Sequence, residues 1–177
     1  MVEKTNIKMK VLVFGKNGQV GSKLSKFKNV ISISREEGNF LDTDKVISLI
    51  DKYDPSIVIN SVAKTDVDLC EKEKSESEVI NTITPIEIAK KCKLKMIPFI
   101  HISSDYVFDG IKTSPYEEND LANPLNYYGL TKINADRAIT NLDFSSVILR
   151  TSWIFSESKK ILFLKLLIKL TIKKKLK

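Results

Sequence analysis

Residues 10–21 read KVLVFGKNGQVG. Lys10–Phe14 is a short apolar run rich in β-branched side chains, the composition of a strand buried on both faces. It passes directly into Gly15-Lys16-Asn17-Gly18-Gln19-Val20-Gly21, with glycines at i, i+3 and i+6, and a helical pattern follows over 18–27. In such a strand–turn–helix unit the first glycine permits the tight turn. The second lets backbone approach a pyrophosphate, and the third lets helix and strand pack closely. The new helix offers free N–H groups and a partial positive charge at its start. Gly15, Gly18 and Gly21 are therefore expected to cradle a dinucleotide; outside a strand–turn–helix context the same spacing would be an ordinary turn.

The rest of the chain continues the alternation. Val30–Ser34, Ser56–Asn60, Met96–Ser103 and Ser146–Thr151 read as further strands. Thr43–Tyr53 places Val46, Ile47, Leu49 and Ile50 at helical spacing. Ser75–Lys91 reads as a long helix that Pro85 should kink or restart, and 123–141 as a loop followed by a helix. Strands alternating with helices predict an α/β fold, a Rossmann-like doubly wound parallel sheet.

Length and composition fit one globular domain: 177 residues, 42% hydrophobic and 29% charged. The net charge of +7 belongs to the tail. Residues 159–177 carry eight Lys and no acid; without them 21 basic residues face 22 acidic ones. A nucleic-acid-binding domain would spread its basic residues over a docking surface, so no nucleic-acid partner is expected. The tail's ten apolar residues form too broad a stripe for a clean membrane-surface helix. No run approaches the length needed to span a bilayer, and MVEKTNIKMK lacks the apolar core of a signal peptide. Two cysteines outside any CxxC pattern fit a reduced, cytoplasmic setting. With a single His no metal site is expected.

Tyr128 and Lys132 stand four apart, on one helix face. A neighbouring cation lowers a phenol's pKa, so Lys132 is expected to tune Tyr128 for proton transfer and to hold the nicotinamide ribose. Ser104 lies at the carboxyl end of its strand, where such sheets bind ligands. It would position a carbonyl oxygen to which Tyr128 gives a proton while a cofactor delivers hydride. Arg35 follows the second strand, where an acid would hold the ribose 2′-OH of NAD and an Arg accommodates the 2′-phosphate of NADP; NADP(H) is favoured and NAD(H) admitted. His101 reads as a core residue or a support behind the site. Trp153 can either stack on a sugar or base or simply pack.

These motifs together resemble the dTDP-4-dehydrorhamnose reductase family of extended short-chain dehydrogenase/reductases. The stretches are GKNGQVG (15–21), NSVAKTDVDLCE (60–71), HISSDYVFDG (101–110), PLNYYGLTK (124–132) and RTSW (150–153). The resemblance implies reduction of the 4-keto group of dTDP-4-dehydro-6-deoxy-L-mannose to dTDP-L-rhamnose by NAD(P)H, with a dTDP-sugar as the partner molecule. Carried over by position, Gly18, Gln19 and Val20 contact the pyrophosphate and Asn39 and Phe40 flank the adenine. Val62, Ala63 and Thr65 line the cofactor site, Ser104 and Asp105 meet the sugar, and Trp153 meets the nucleotide-sugar. Asn39 stands where the family usually has Asp, Ser104 where it commonly has Thr, and Lys64 where another polar residue is common. Mg2+ and a homodimer are admitted by the resemblance alone. Family members are longer. The small C-terminal substrate lobe is expected to be largely missing, which would open the site to water and weaken catalysis. The expected organisation is a cofactor-binding domain over 1–158 and a remnant helix and stub over 159–177, resembling the helix after the family's sixth strand. A non-catalytic NAD(P)-binding subunit, like the methionine adenosyltransferase regulatory subunit, and a nucleotide-sugar epimerase or dehydratase are the alternatives. The Ser104/Tyr128/Lys132 set speaks against the first, and SSDYVFDG with RTSW against the second.

Overall fold

A computed structural model describes residues 9–154; the readings of the amino terminus and of the 159–177 helix lie outside the described residues. Five strands form one parallel sheet: β1 (Val11–Phe14), β2 (Val30–Ile33), β3 (Ile57–Asn60), β4 (Phe99–Ser104) and β5 (Ser146–Thr151). Their order is β2-β1-β3-β4-β5. Ser146–Thr151 is thus the fifth strand of the described residues, where the family resemblance counts it as the sixth.

The helices are α1 (Gln19–Leu24), α2 (Thr43–Tyr53), α3 (Val67–Lys72), α4 (Lys74–Glu78), α5 (Thr84–Leu94) and α6 (Tyr127–Asn141). Right-handed crossovers send the chain outward from β1 to β2 through α1. They bring it back across β1 to β3 through α2, onto the opposite face, where α2 packs on α5 and α5 on α6. The sheet is doubly wound. Under α2, α5 and α6 lies the core, built from Leu12, Phe14, Val58 and Phe99 of the sheet against Ile50, Ile88 and Ile139. On the other face of β5, Val147 and Leu149 are 51% and 44% exposed.

Local chemistry explains where the elements begin and end. Asp42 caps α2 by accepting from the Lys45 N–H at 3.1 Å, and Asp54 ends it in the left-handed region at φ 41°. Asp66 caps α3 in the same way through Leu69 N–H; sequence patterning does not reveal this helix, because it is short and largely exposed. The expected helix 75–91 is interrupted by a π-helical turn, Val79–Ile83, with Pro85 in the first turn of α5. The wide turn accommodates the missing N–H and the ring of Pro85. Met96 does not start β4. It is left-handed at φ 56°, Ile97 N–H bonds back to Cys92 O at 2.9 Å to close α5, and the strand begins after Pro98.

Candidate active site

Because the chain leaves β1 outward and returns to β3, the connections after those two strands part at the sheet's carboxyl edge and leave a crevice there. The turn after β1 is held tightly. Gly15 and Lys16 N–H both donate to Ile33 O, at 3.1 and 2.9 Å, and Gly18 N–H donates to Gly15 O at 2.9 Å. A Cβ on Gly21 would lie 2.0 Å from Gly15 O, so α1 approaches the turn as closely as a glycine allows. Ser61, just past β3, donates its hydroxyl to Phe14 O at 2.6 Å and ties the two connections together.

Two adjoining cavities, of about 500 and 480 Å3, meet over Gly18 and Ser61–Ala63. The first is lined by Gly18, Gln19, Val20, Val62, Ala63, Thr65, Ser104, Asp105, Tyr128 and Trp153. The second holds Gly15, Arg35, Asn39 and Phe40 beside the shared residues. Gly21 lies behind the turn and Lys132 beneath the floor; neither lines a cavity. Phe40 is nearly buried, its ring edge-on to Phe14 at 5.7 Å, so it belongs to the core as much as to the cavity wall. Trp153 stands on the rim, 63% exposed and left-handed at φ 50°. Gln19 Oε1 is buried at the start of α1 with no hydrogen-bond partner. The open helix start, the close glycine backbone and this idle acceptor fit an extended dinucleotide lying across the turn.

Ser104 Oγ donates to Asp105 Oδ1 at 3.1 Å and accepts from Tyr106 N–H at 3.2 Å; Asp105 Oδ2 accepts from Ser152 at 2.7 Å. Asn126 caps α6 through Gly129 N–H at 2.8 Å, which sets Tyr128 at the mouth of the helix. The Tyr128 ring is nearly buried, edge-on to Tyr106 at 5.6 Å, and borders the first cavity together with Ser104. Ser104 and Tyr128 therefore line one cavity.

Lys132 departs from expectation. Its Nζ lies 3.0 Å from His101 Nε2 and donates to Ile102 O at 2.8 Å. Burial, not a cation, governs Tyr128 and pushes its phenol up from the usual value near 10, the Ser104 contact acting against it. The expected lowering by Lys132 is not found, because the amine is turned into the core. Burial lowers Lys132 itself to about 8, with Asp136 one turn on acting against it. His101 is fully buried, and desolvation, with Lys132 beside it, drops it well below the usual histidine value.

Sequence reading missed three supports. Asn81, on the π turn, grips the loop after β3 through Lys64 N–H at 2.8 Å and Lys64 O at 3.1 Å, and donates to Thr131 Oγ1 at 3.1 Å. Asp136 accepts from Ser103 at 2.8 Å and Arg150 at 3.2 Å. Asn60 contacts His101 at 3.2 Å. Of these only Asn60 left a trace, a polar residue ending an apolar strand. The Lys64 ammonium pairs with Glu73 and Glu76 at the outer cavity. Among the described residues no group of three His, Cys, Asp or Glu could hold a metal ion, and no helix is long and apolar enough to cross a membrane.

The family model described as "RmlD substrate binding domain" matches residues 9–177. The chain belongs to the RmlD substrate binding domain family. It is 35% identical over 154 residues to a dTDP-4-dehydrorhamnose reductase of Aggregatibacter actinomycetemcomitans, covering 84% of this chain and 52% of the relative. Among solved structures it is similar to the dTDP-4-dehydrorhamnose reductase of Bacillus anthracis in complex with NADP. That match has a TM-score of 0.85 and 29% identity, over 94% of this chain and 61% of that one. The Clostridium acetobutylicum reductase gives a TM-score of 0.83 at 33% identity, covering 93% and 60%. The chain spans about half the length of the RmlD-family relatives it matches.

Proposed function

We propose that this chain is the cofactor-binding part of a dTDP-4-dehydrorhamnose reductase, with residues up to 158 as the dinucleotide-binding domain. Its reaction is NADP(H)-dependent reduction of the 4-keto group of dTDP-4-dehydro-6-deoxy-L-mannose to dTDP-L-rhamnose, in the cytoplasm. The observation that carries the reading is the meeting of the glycine cradle and the Ser104–Tyr128 pair around two joined cavities at the switch point of the sheet.

When bound, the nicotinamide supplies hydride to the carbonyl carbon. The turn at Gly15–Gly21 would hold its pyrophosphate, Val62, Ala63 and Thr65 would flank it, and Asn39 and Phe40 would stand at the adenine end. Arg35 on the outer cavity fits a 2′-phosphate. Ser104 and Tyr128 hold the carbonyl oxygen between them, and Tyr128 passes its phenolic proton to that oxygen as charge develops there. Asp105 and Trp153 sit where the sugar and nucleotide of the substrate would enter.

Thermal unfolding of the 177-residue chain with and without NADPH or NADH tests the first half of this reading. A ligand binding only the folded state at 100 times its Kd adds about 2.7 kcal/mol, and for a chain of this size that raises the midpoint by roughly 5–10 °C. NADPH oxidation with the dTDP-keto sugar tests the second half. A cooperative transition that neither cofactor shifts would overturn the cofactor assignment.

A further inference from the structure

Residues 108–126 run between Ser104, with the short turn Asp105–Val107 after it, and Tyr128 on the first turn of α6; they form neither helix nor strand. A connection of this length without regular structure is uncommon in a compact domain and usually serves a function. This one is tied down. Asp109 gathers it from both ends: Oδ1 accepts from the Tyr116 hydroxyl at 2.8 Å and from Ile111 N–H at 3.1 Å, and Oδ2 accepts from Asn123 at 3.1 Å. The Tyr116 ring stacks on Phe108 with centroids 4.2 Å apart and 15° between the planes. The Arg150 guanidinium lies over the Phe108 ring, 5.3 Å from its centre.

At Arg150 the connection meets the rest of the fold. This residue stands on β5 opposite Ser103 of β4. Its Nε donates to Asp136 Oδ2 at 3.2 Å, and Ser103 donates to the same oxygen at 2.8 Å. Its Nη1 donates to Glu118 O at 3.4 Å. One guanidinium thus holds α6 through Asp136 and the connection through Glu118 and Phe108. Pairing, bonding and stacking at once calls for a planar fork of fixed donors. Asp136 is 1% exposed, so a charged carboxylate there needs a partner. The start of α6 leans on the same connection. A Cβ on Gly129 would lie 2.1 Å from Tyr106 O and 2.9 Å from Pro124 Cβ, and Asn126 Oδ1 accepts from Gly129 N–H at 2.8 Å. Backbone from both ends of the connection is therefore pressed against the turn that carries Tyr128. Arg150 itself lines neither cavity.

We propose that Arg150 is a positioning residue for the reaction: by clamping 108–126 between β5 and α6 it fixes the first turn of α6, and with it the place of Tyr128 in the wall of the first cavity. Asp136, Glu118 and Phe108, the partners of Arg150, all lie outside the outer cavity. Cofactor binding is therefore independent of the clamp, while turnover depends on it. A displacement of about 1 Å at a reacting group can cost about a hundredfold in rate. The use made of Tyr128 rests on the reductase reading; the clamp does not.

Amide hydrogen exchange of the 177-residue chain, read peptide by peptide, tests the clamp in Arg150→Lys and Phe108→Leu. Lysine keeps a charge for Asp136 but loses the fork. Leucine removes the stack and leaves the Asp136 pair in place, so it decides the matter if the first variant does not fold. Peptides covering 108–130 are expected to exchange about tenfold faster or more in each variant, with 9–60 unchanged and the rise in unfolding midpoint with NADPH kept. Unchanged exchange over 108–130 overturns the proposal. So does an increase spread evenly along the chain, which is what lost stability alone produces. In NADPH oxidation, kcat should fall about tenfold or more while KM for NADPH stays within about twofold. A variant that loosens the connection yet keeps the parent's kcat refutes the positioning of Tyr128. Failure of the reductase reading would appear separately, as a parent chain with no NADPH response or no turnover.

Discussion

Replacing Gly21 by alanine tests whether the closeness of turn and helix builds the cradle. The added Cβ would sit 2.0 Å from Gly15 O, 2.6 Å from Gly15 C and 3.1 Å from Lys16 N. All three are backbone atoms, so no flexible side chain can yield. Reaching ordinary contact at 3.4 Å from Gly15 O requires a displacement of about 1.4 Å. Overpacking of this kind typically costs about 1–3 kcal/mol, and alanine's better helix propensity returns roughly 0.5–1 kcal/mol of it. A net loss of about 1–2 kcal/mol lowers the midpoint by roughly 2–8 °C for a chain of this size. The same displacement moves the helix start away from the Gly15–Lys16 turn, so NADPH affinity should fall at least tenfold, or about 1.4 kcal/mol. Calorimetry and a fluorescence titration read the two effects. Gly18→Ala is the partner experiment: its Cβ meets Gly15 O at 3.2 Å and lines both cavities, so it should cost affinity with little loss of stability. If Gly21→Ala keeps both its midpoint and its NADPH affinity, the turn and helix are not coupled as described.

Tyr128→Phe removes the proposed proton donor while keeping the ring that packs on Tyr106; NADPH oxidation should fall at least a hundredfold while NADPH affinity stays within a few-fold. Arg35→Ala should weaken NADPH more than NADH, and equal losses in paired titrations would remove Arg35 from 2′-phosphate recognition. Lys132→Met probes the buried amine through stability. Its folded pKa, about 8, lies below the ordinary 10.5. Below pH 8 both states are protonated and the burial penalty is present in full. Between pH 8 and 10.5 the unfolded chain binds more protons, so this residue's contribution to stability rises with pH. Cys92, raised to about 12 by burial, acts oppositely at high pH, so the measured quantity is the difference between the parent chain and the variant. That difference should shift in the parent's favour from pH 8 to 10.5; a flat difference would mean that Lys132 titrates normally.

Elements whose signal is local were legible in the sequence. The strand–turn–helix at 10–21 needs only glycine spacing and an apolar run, and α2 is outlined by its own periodicity and caps. The cavity-lining residues were found because motifs keep their order along the chain. The supports were not legible, because their meaning depends on contacts far apart in sequence. Asn81 matters through Lys64 and Thr131, 17 and 50 residues away, and Asn60 through His101, 41 residues away. The four-residue spacing of Tyr128 and Lys132 correctly placed both on one helix. It did not reveal that burial would draw the amine toward β4, since spacing carries no information about which polar atoms wait beneath a helix.

The inward turn of Lys132 bears on the chemistry proposed for Tyr128. A phenol lowered by a cation would suit a base that removes a proton from an alcohol. The phenol here is raised by burial, and so stays protonated at neutral pH. A reductase needs that form, because the oxygen receiving charge as hydride adds to its carbon must be met by a donor. The phenol of Tyr128 and the hydroxyl of Ser104 both border the first cavity, with the Ser104 proton directed to Asp105 Oδ1. Lys132 instead lies against His101 Nε2 and donates to Ile102 O. Under the proposed function, burial keeps the phenol loaded for the direction of reduction.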